Sequence, residues 1–331
     1  MKKCILGLLL VFLLTGCGAS ATPVPEETQP VTETTQAPPE TETTLPPAAL
    51  EAEAAALAEE VPPPTGIVLE PEASGEQEVR TERATVDFSH GEDGYIMVCH
   101  FAESEKRLKV LLKGPTATYN YNLPPGDWIT LPLSDGDGHY QAGIYRNTEG
   151  NRYVLLMVAD FDVSLKDEFA PFLRPNQYVN YLTAPETVDL GAQLCHGLEH
   201  PLDKVAAVYD YVIENLTYDE EKAATVKSGY LPDLDAVLER KKGICFDYAA
   251  MMTAMLRSQG VPCKLVVGYA GSTYHSWISV WTDEDGWIDG TIFFDGHVWK
   301  RMDPTFVSSA QDREEIMDFV ENGNYTAKYL Y

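Results

Sequence analysis

Gly243-Ile244-Cys245-Phe246-Asp247-Tyr248-Ala249, continuing through Met251-Met252-Thr253-Ala254-Met255-Leu256 to Gly260-Val261-Pro262, is the stretch on which the fold turns. Its apolar positions Tyr248, Met251, Met252, Met255 and Leu256 recur at helical spacing and predict a helix that opens near residue 243 and runs to about Ser258. Gly260 stands where a left-handed C-terminal cap belongs, and Pro262 blocks continuation. Cys245 therefore sits at a helix N-terminus, where unpaired amide N–H groups and the helix dipole favour thiolate over thiol. Gly243 just upstream would let the backbone approach whatever binds there.

Downstream, residues 264–269 read as a strand, a polar loop follows, and residues 275–281 alternate as a second strand with His275 at its beginning, facing the loop. After the turn at 283–286 come a short strand around Trp287, an apparent insertion through Asp295-Gly296, and the stretch 299–305, in which a strand ends at Asp303. Neighbouring antiparallel strands would set His275 beside Asp303, and the helix N-terminus would point Cys245 at the imidazole. In that arrangement Cys245 attacks a carbonyl as thiolate, His275 forms the ion pair and protonates the leaving amine, and Asp303 fixes the imidazole tautomer.

Upstream, Leu202, Val205, Ala206, Tyr209, Val212, Ile213 and Leu216 mark an amphipathic helix with Asp203 in its first turn, and a short helix is expected over 233–240. Between about 84 and 184 the pattern is different. Short apolar runs at 94–98, 108–112, 140–145 and 153–158 are separated by turn chemistry at 91–94, 124–127, 134–138 and 149–151, which predicts a small β-sandwich domain. Asp135 to Gly138 lacks the downstream ligands of a calcium loop and reads as a hairpin turn. The expected class is α+β: a helix carrying Cys245 packed on an antiparallel sheet over 185–331, preceded by the sandwich.

The motifs Gly-Ile-Cys-Phe-Asp-Tyr-Ala at 243–249, Leu-Arg-Ser-Gln-Gly-Val-Pro at 256–262, Gly268-Tyr269, Tyr274-His275-Ser276-Trp277 and Asp303-Pro304-Thr305 together resemble the bacterial transglutaminase-like core over roughly residues 190–307. The resemblance implies a papain-like fold and a Cys–His–Asp triad in this order, carried here by Cys245, His275 and Asp303. Ser276 stands where that family often has Ala. Tyr218 resembles the aromatic with which animal transglutaminases hold the oxyanion, and with the Cys245 amide it would stabilise a tetrahedral intermediate; it reads equally well as a core tyrosine ending a helix. Asp247 and Trp277 read as bracing residues beneath the triad.

The N-terminus carries Lys2 and Lys3, then an apolar run at 5–14 of about ten residues, too short to span a bilayer. Leu14-Thr15-Gly16-Cys17 resembles the lipobox of bacterial lipoproteins, with Cys17 as the lipidated residue of a signal over 1–17. Residues 18–83, rich in Pro, Thr, Glu and Ala, read as a disordered linker that holds the folded part off a membrane. The net charge of −27 excludes nucleic acid as a partner and excludes charge-driven adhesion to an anionic membrane. Cys99 and Cys263 read as small buried hydrophobes, a bridge to Cys195 stays open, and no metal or other cofactor is expected.

These readings make the chain an extracytoplasmic, lipid-anchored monomer with a cysteine acyl-transfer centre acting on envelope protein or peptidoglycan-peptide amides. Water as acceptor gives a peptidase or amidase; an amine gives cross-linking. The rival is a binding or scaffolding lipoprotein without activity. A papain-type peptidase is disfavoured, because its Cys and His lie over a hundred residues apart and here about thirty separate them.

Overall fold

The computed structural model describes residues 65–289, 292–294, 299–301 and 325–331. Cys17, most of the linker, and Asp303 lie outside the described residues. Among the described residues no helix is long and apolar enough to cross a membrane.

The N-terminal part is two four-stranded antiparallel sheets. One runs β1 (Glu78–Arg80), β2 (Ala84–Asp87), β3 (Tyr95–His100) and β6 (Trp128–Pro132). The other is ordered β5 (Thr118–Asn122), β4 (Leu108–Lys113), β7 (Gly138–Glu149) and β8 (Arg152–Val163). Alternation drives their association: Leu108, Val110 and Leu112 on β4 and Tyr119 and Tyr121 on β5 are buried while their neighbours are not. The inner faces share one core with Ile96, Val98 and Leu131, and Phe88 stacks on Phe161 between the two sheets at 4.9 Å. The turn at Asp135 is a clamp. Its carboxylate accepts from the Thr116 and Ala117 amides (2.9 and 2.8 Å) and from the Tyr119 hydroxyl (3.0 Å).

Residues 65–83, read from composition as linker, include β1 and a segment laid along the second half of the molecule, where the Ile67 N–H donates to Ser258 O at 2.8 Å. The physical reason is that these extended residues gain their hydrogen bonds from distant partners, which Glu- and Pro-rich composition does not reveal.

In the C-terminal half, α1 (Pro185–Leu194), α2 (Pro201–Asn215), α3 (Glu220–Thr225), α4 (Leu234–Arg240) and α5 (Cys245–Ser258) accompany an antiparallel sheet ordered β13 (Gly286–Asp289), β12 (Thr273–Thr282), β11 (Cys263–Ala270) and β16 (Tyr325–Leu330). Helix α5 is buried from Asp247 to Ser258 and packs on β11 and β12 on one side and on α1 on another. Two-residue strands β9 (Thr217–Tyr218) and β10 (Lys242–Gly243) pair in parallel and lead into α5. A hairpin of β14 (Ile292–Phe294) and β15 (Trp299–Arg301) forms its own ladder. The polar loop expected between β11 and β12 is instead a tight turn after Ala270, so β12 begins two residues earlier than its alternation indicated.

The halves meet through tyrosines. Tyr178 lies 4.1 Å from Tyr331, Tyr121 lies 5.9 Å from Tyr331, and Tyr119 lies 5.9 Å from Tyr329, all centroid to centroid. The edge strand β5 is tied down as well: Tyr178 donates to Asn120 O (2.6 Å), and the Gln177 amide exchanges two hydrogen bonds with the Asn122 backbone.

Candidate active site

Helix α5 begins at Cys245, as its N-terminal signals predict, and the thiol is half-buried. The first turn is organised by Asp247, fully buried, which accepts from the Ile244 N–H at 2.9 Å and so satisfies one of the helix's orphan donors. Its two oxygens also take the Tyr230 hydroxyl (2.6 Å) and the Lys222 ammonium (2.5 Å). Lys222 lies over the Tyr230 ring at 4.3 Å. Thus α3 and the loop behind it are pinned to the start of α5, and the Asp247 charge, two residues from Cys245, is neutralised by an ammonium. Burial and its bond to Asp247 hold the Tyr230 hydroxyl well above its ordinary pKa, so it stays a donor.

A Cβ at Gly243 would meet the Asp247 Cβ at 2.9 Å, so the glycine makes room for the cap of α5.

His275 is the third residue of β12 and is 4 % exposed. It pairs in register with Gly268 on β11, and its ring lies over Trp277, two residues along on the same face, at 6.4 Å and 24°. Gly268 is demanded by close approach: a Cβ would come within 2.1 Å of Thr326 O on β16, where the ladder has a bulge. Tyr274 points the other way, 56 % exposed, and stands against Tyr269 at 5.5 Å. Burial raises the Tyr274 pKa, opposed in part by the Lys328 ammonium.

Cys245, His275 and Tyr218 line a single cavity of about 590 Å³. Its walls come from the start of α5, from β12, from the loop at 223–230, and from Lys109, Asn120 and Asn122 of the sandwich. Asn122 Nδ2 donates to Gly229 O at 3.1 Å and closes the gap between sandwich and loop. Three residues named from the sequence are thus brought to one cleft. Asp303, expected beside His275, lies outside the described residues, and the strand before it pairs with Ile292–Phe294. Lys222, Tyr230 and the sandwich wall were not foreseen from the sequence; no local pattern announces them. Cys99, Cys195 and Cys263 are free and buried away from this cleft, and burial pushes the Cys195 and Cys263 thiols up to about 11.

Residues 188–290 match the family described as the transglutaminase-like superfamily. This stretch is thus a transglutaminase-like domain, built of mixed helix and antiparallel sheet. The uncharacterized protein YebA of Bacillus subtilis (strain 168) is 31 % identical over 124 residues, which cover 31 % of this chain and 17 % of YebA. The protein-glutamine gamma-glutamyltransferase of Pseudomonas aeruginosa is 29 % identical over 68 residues, 16 % of this chain and 10 % of that protein. The chain therefore spans less than a fifth of the length of either relative. The structure of red sea bream transglutaminase aligns with 70 % of this chain and 56 % of its own at 13 % identity and a TM-score of 0.28.

Proposed function

We propose that this protein is a cysteine acyl-transfer enzyme that acts on peptide amides through a thioester, held at the cell envelope by lipid on Cys17. The observation that carries the reading is the shared cleft: a half-buried cysteine opening a helix, with a buried histidine and a tyrosine lining the same cavity. In the proposed cycle the Cys245 sulfur attacks the amide carbon. The oxyanion is held by the Cys245 N–H and the Tyr218 hydroxyl. His275, oriented by Asp303, then protonates the departing nitrogen, leaving a thioester. Water or a primary amine attacks next, His275 takes its proton, and the thiolate is regenerated. The family supports a Cys–His pair in these roles, and the helix N-terminus supplies donors to the sulfur.

Iodoacetamide near pH 6 tests the reading. Cys245 is expected to label selectively, and His275→Ala to abolish that selectivity. Labelling of Cys245 no faster than Cys99 or Cys263 would remove its basis.

A binding or scaffolding role has one specific observation in its favour. Val154, Leu155, Leu156 and Val158 on the edge strand β8 are between 37 % and 48 % exposed. It is tested by whether envelope retention of a partner survives in Cys245→Ala.

A further inference from the structure

The chain carries 51 carboxylates against 24 Lys and Arg, yet the charged side chains among the described residues lining the cleft are Lys109 and Lys227, and none is a carboxylate. Neither lysine takes part in an ion pair among the described residues. Lys227 is exposed on the 223–230 loop, whereas Lys109 is half-buried on β4, a strand of the sandwich rather than of the core. Lys109 stands opposite Asn122 in the β4–β5 register, and Asn122 is bonded to Gly229, so both lysines come from the segments that close together at this end of the cleft.

A half-buried ammonium without a counter-ion is costly, because desolvation is not offset by attraction. Burial, followed by the nearby Arg107, accordingly lowers the Lys109 pKa. Lys222, the other partly buried lysine beside this cleft, is by contrast paired, with Asp247. With no side-chain carboxylate among its described lining residues and a half-buried lysine in its wall, the described part of the cleft is complementary to an anion. The remaining wall is aromatic, with Tyr178, Phe246 and Tyr329 among its residues, which suits an extended peptide more than a small inorganic ion.

We propose that the cleft selects peptides bearing a carboxylate close to the reacting residue, and that Lys109, contributed by the sandwich, is the specificity-determining residue that seats it. The carboxylate accepts hydrogen bonds from the Lys109 ammonium, with Lys227 across the opening. For the chemistry after binding, this selectivity rests on the acyl-transfer reading. It also gives the sandwich a task in recognition: without β4 and β5 the cleft has no wall at this end. Since charges beyond about 8 Å are screened at physiological salt, the overall negative charge does little to oppose a contact made inside the cleft.

The test uses the full chain carrying Cys245→Ala, so that nothing turns over, and fluorescein-labelled glutamine pentapeptides read by anisotropy. Three amidated peptides carry Glu, Gln or Lys beside the glutamine. A fourth has the Gln flank and a free C-terminal carboxylate, separating a side-chain source of the anion from a terminal one. The Glu peptide is expected to bind roughly fivefold or more tightly than the Gln peptide, and the Lys peptide most weakly. Lys109→Met should erase the difference between Glu and Gln, Lys109→Arg should keep it, and Lys109→Glu should invert the order. Lys227→Glu, on an exposed loop, should reduce it if the β4 variants fold poorly. Equal affinity for the three amidated peptides, or a Glu preference that survives Lys109→Met, overturns the proposal. Charge-dependent binding by a chain whose Cys245 never forms a thioester would instead leave the receptor standing and remove the acyl-transfer reading.

Discussion

The two ends of helix α5 put similar residue types to opposite uses. At its N-terminus Cys245 opens onto a cleft, beside a carboxylate already neutralised by Lys222. At its C-terminus Arg257 is 2 % exposed and donates to three main-chain oxygens: Cys263 at 2.8 Å, Arg174 at 2.7 Å and Tyr331 at 2.7 Å. The nearby thiol, Cys263, is fully buried, with its sulfur 3.7 Å from Thr253 Oγ1. A cation at a helix C-terminus opposes the dipole's negative end, just as the free amides at the other end favour an anion. One helix thus has a sealed end, where a buried guanidinium is matched to main-chain oxygens, and an open end, where Cys245 faces the cleft.

The largest effect is expected at the sealed end. Arg257→Leu strips donors from three oxygens, two of them in bonds that are themselves buried, and should lower unfolding free energy by about 3 kcal/mol, read by urea denaturation. A loss under about 1 kcal/mol would mean that the end is not held as described. At the open end, His275→Ala should slow alkylation of Cys245 by about a hundredfold near pH 6 while leaving the denaturation midpoint nearly unchanged. Coupled loss of stability and reactivity would blur the distinction between the two ends.

Lys222→Met sharpens the comparison from a third side. It leaves the buried Asp247 carboxylate without its cation, and, since Lys222 is a fifth exposed, should cost about 2 kcal/mol rather than the full penalty of a sealed pair. Lys222→Arg should recover most of it.

The smallest effect is on alkaline stability. Burial raises Cys195 and Cys263 from 9.0 to about 11 in the folded chain, so the folded state holds these protons more tightly than the unfolded one. Their contribution is complete below pH 9 and is lost as pH rises toward 11, about 2 kcal/mol or less for each. Cys263→Ser or Cys195→Ala should flatten that decline in a pH series of melts; an unchanged decline would show that these thiols are not the groups responsible.

How far the sequence disclosed this architecture depends on the range of the interactions involved. Helix α5, α4 with its Asp233 cap, β11 and β12 were legible because periodicity, caps and stop residues act within a few positions. Strand β16 was not, since Tyr325–Leu330 is held in place by pairing with β11 some sixty residues earlier. Strand β5 was obscured by the polar half of Thr-Tyr-Asn-Tyr-Asn, although Tyr119 and Tyr121 are buried. Cys245, His275 and Tyr218 could be named from motif and order. The Lys222–Tyr230–Asp247 network and the Lys109 wall could not, because they join segments that only the folded chain brings together.

The central claim is tested most directly by intact-protein mass spectrometry after incubation with a glutamine peptide, with and without a primary amine. The account predicts a peptide adduct on Cys245 smaller than the added peptide by the mass of ammonia, discharged by the amine into an amide product and absent from Cys245→Ala. No adduct and no product with any envelope peptide, or an adduct that persists in Cys245→Ala, would contradict it.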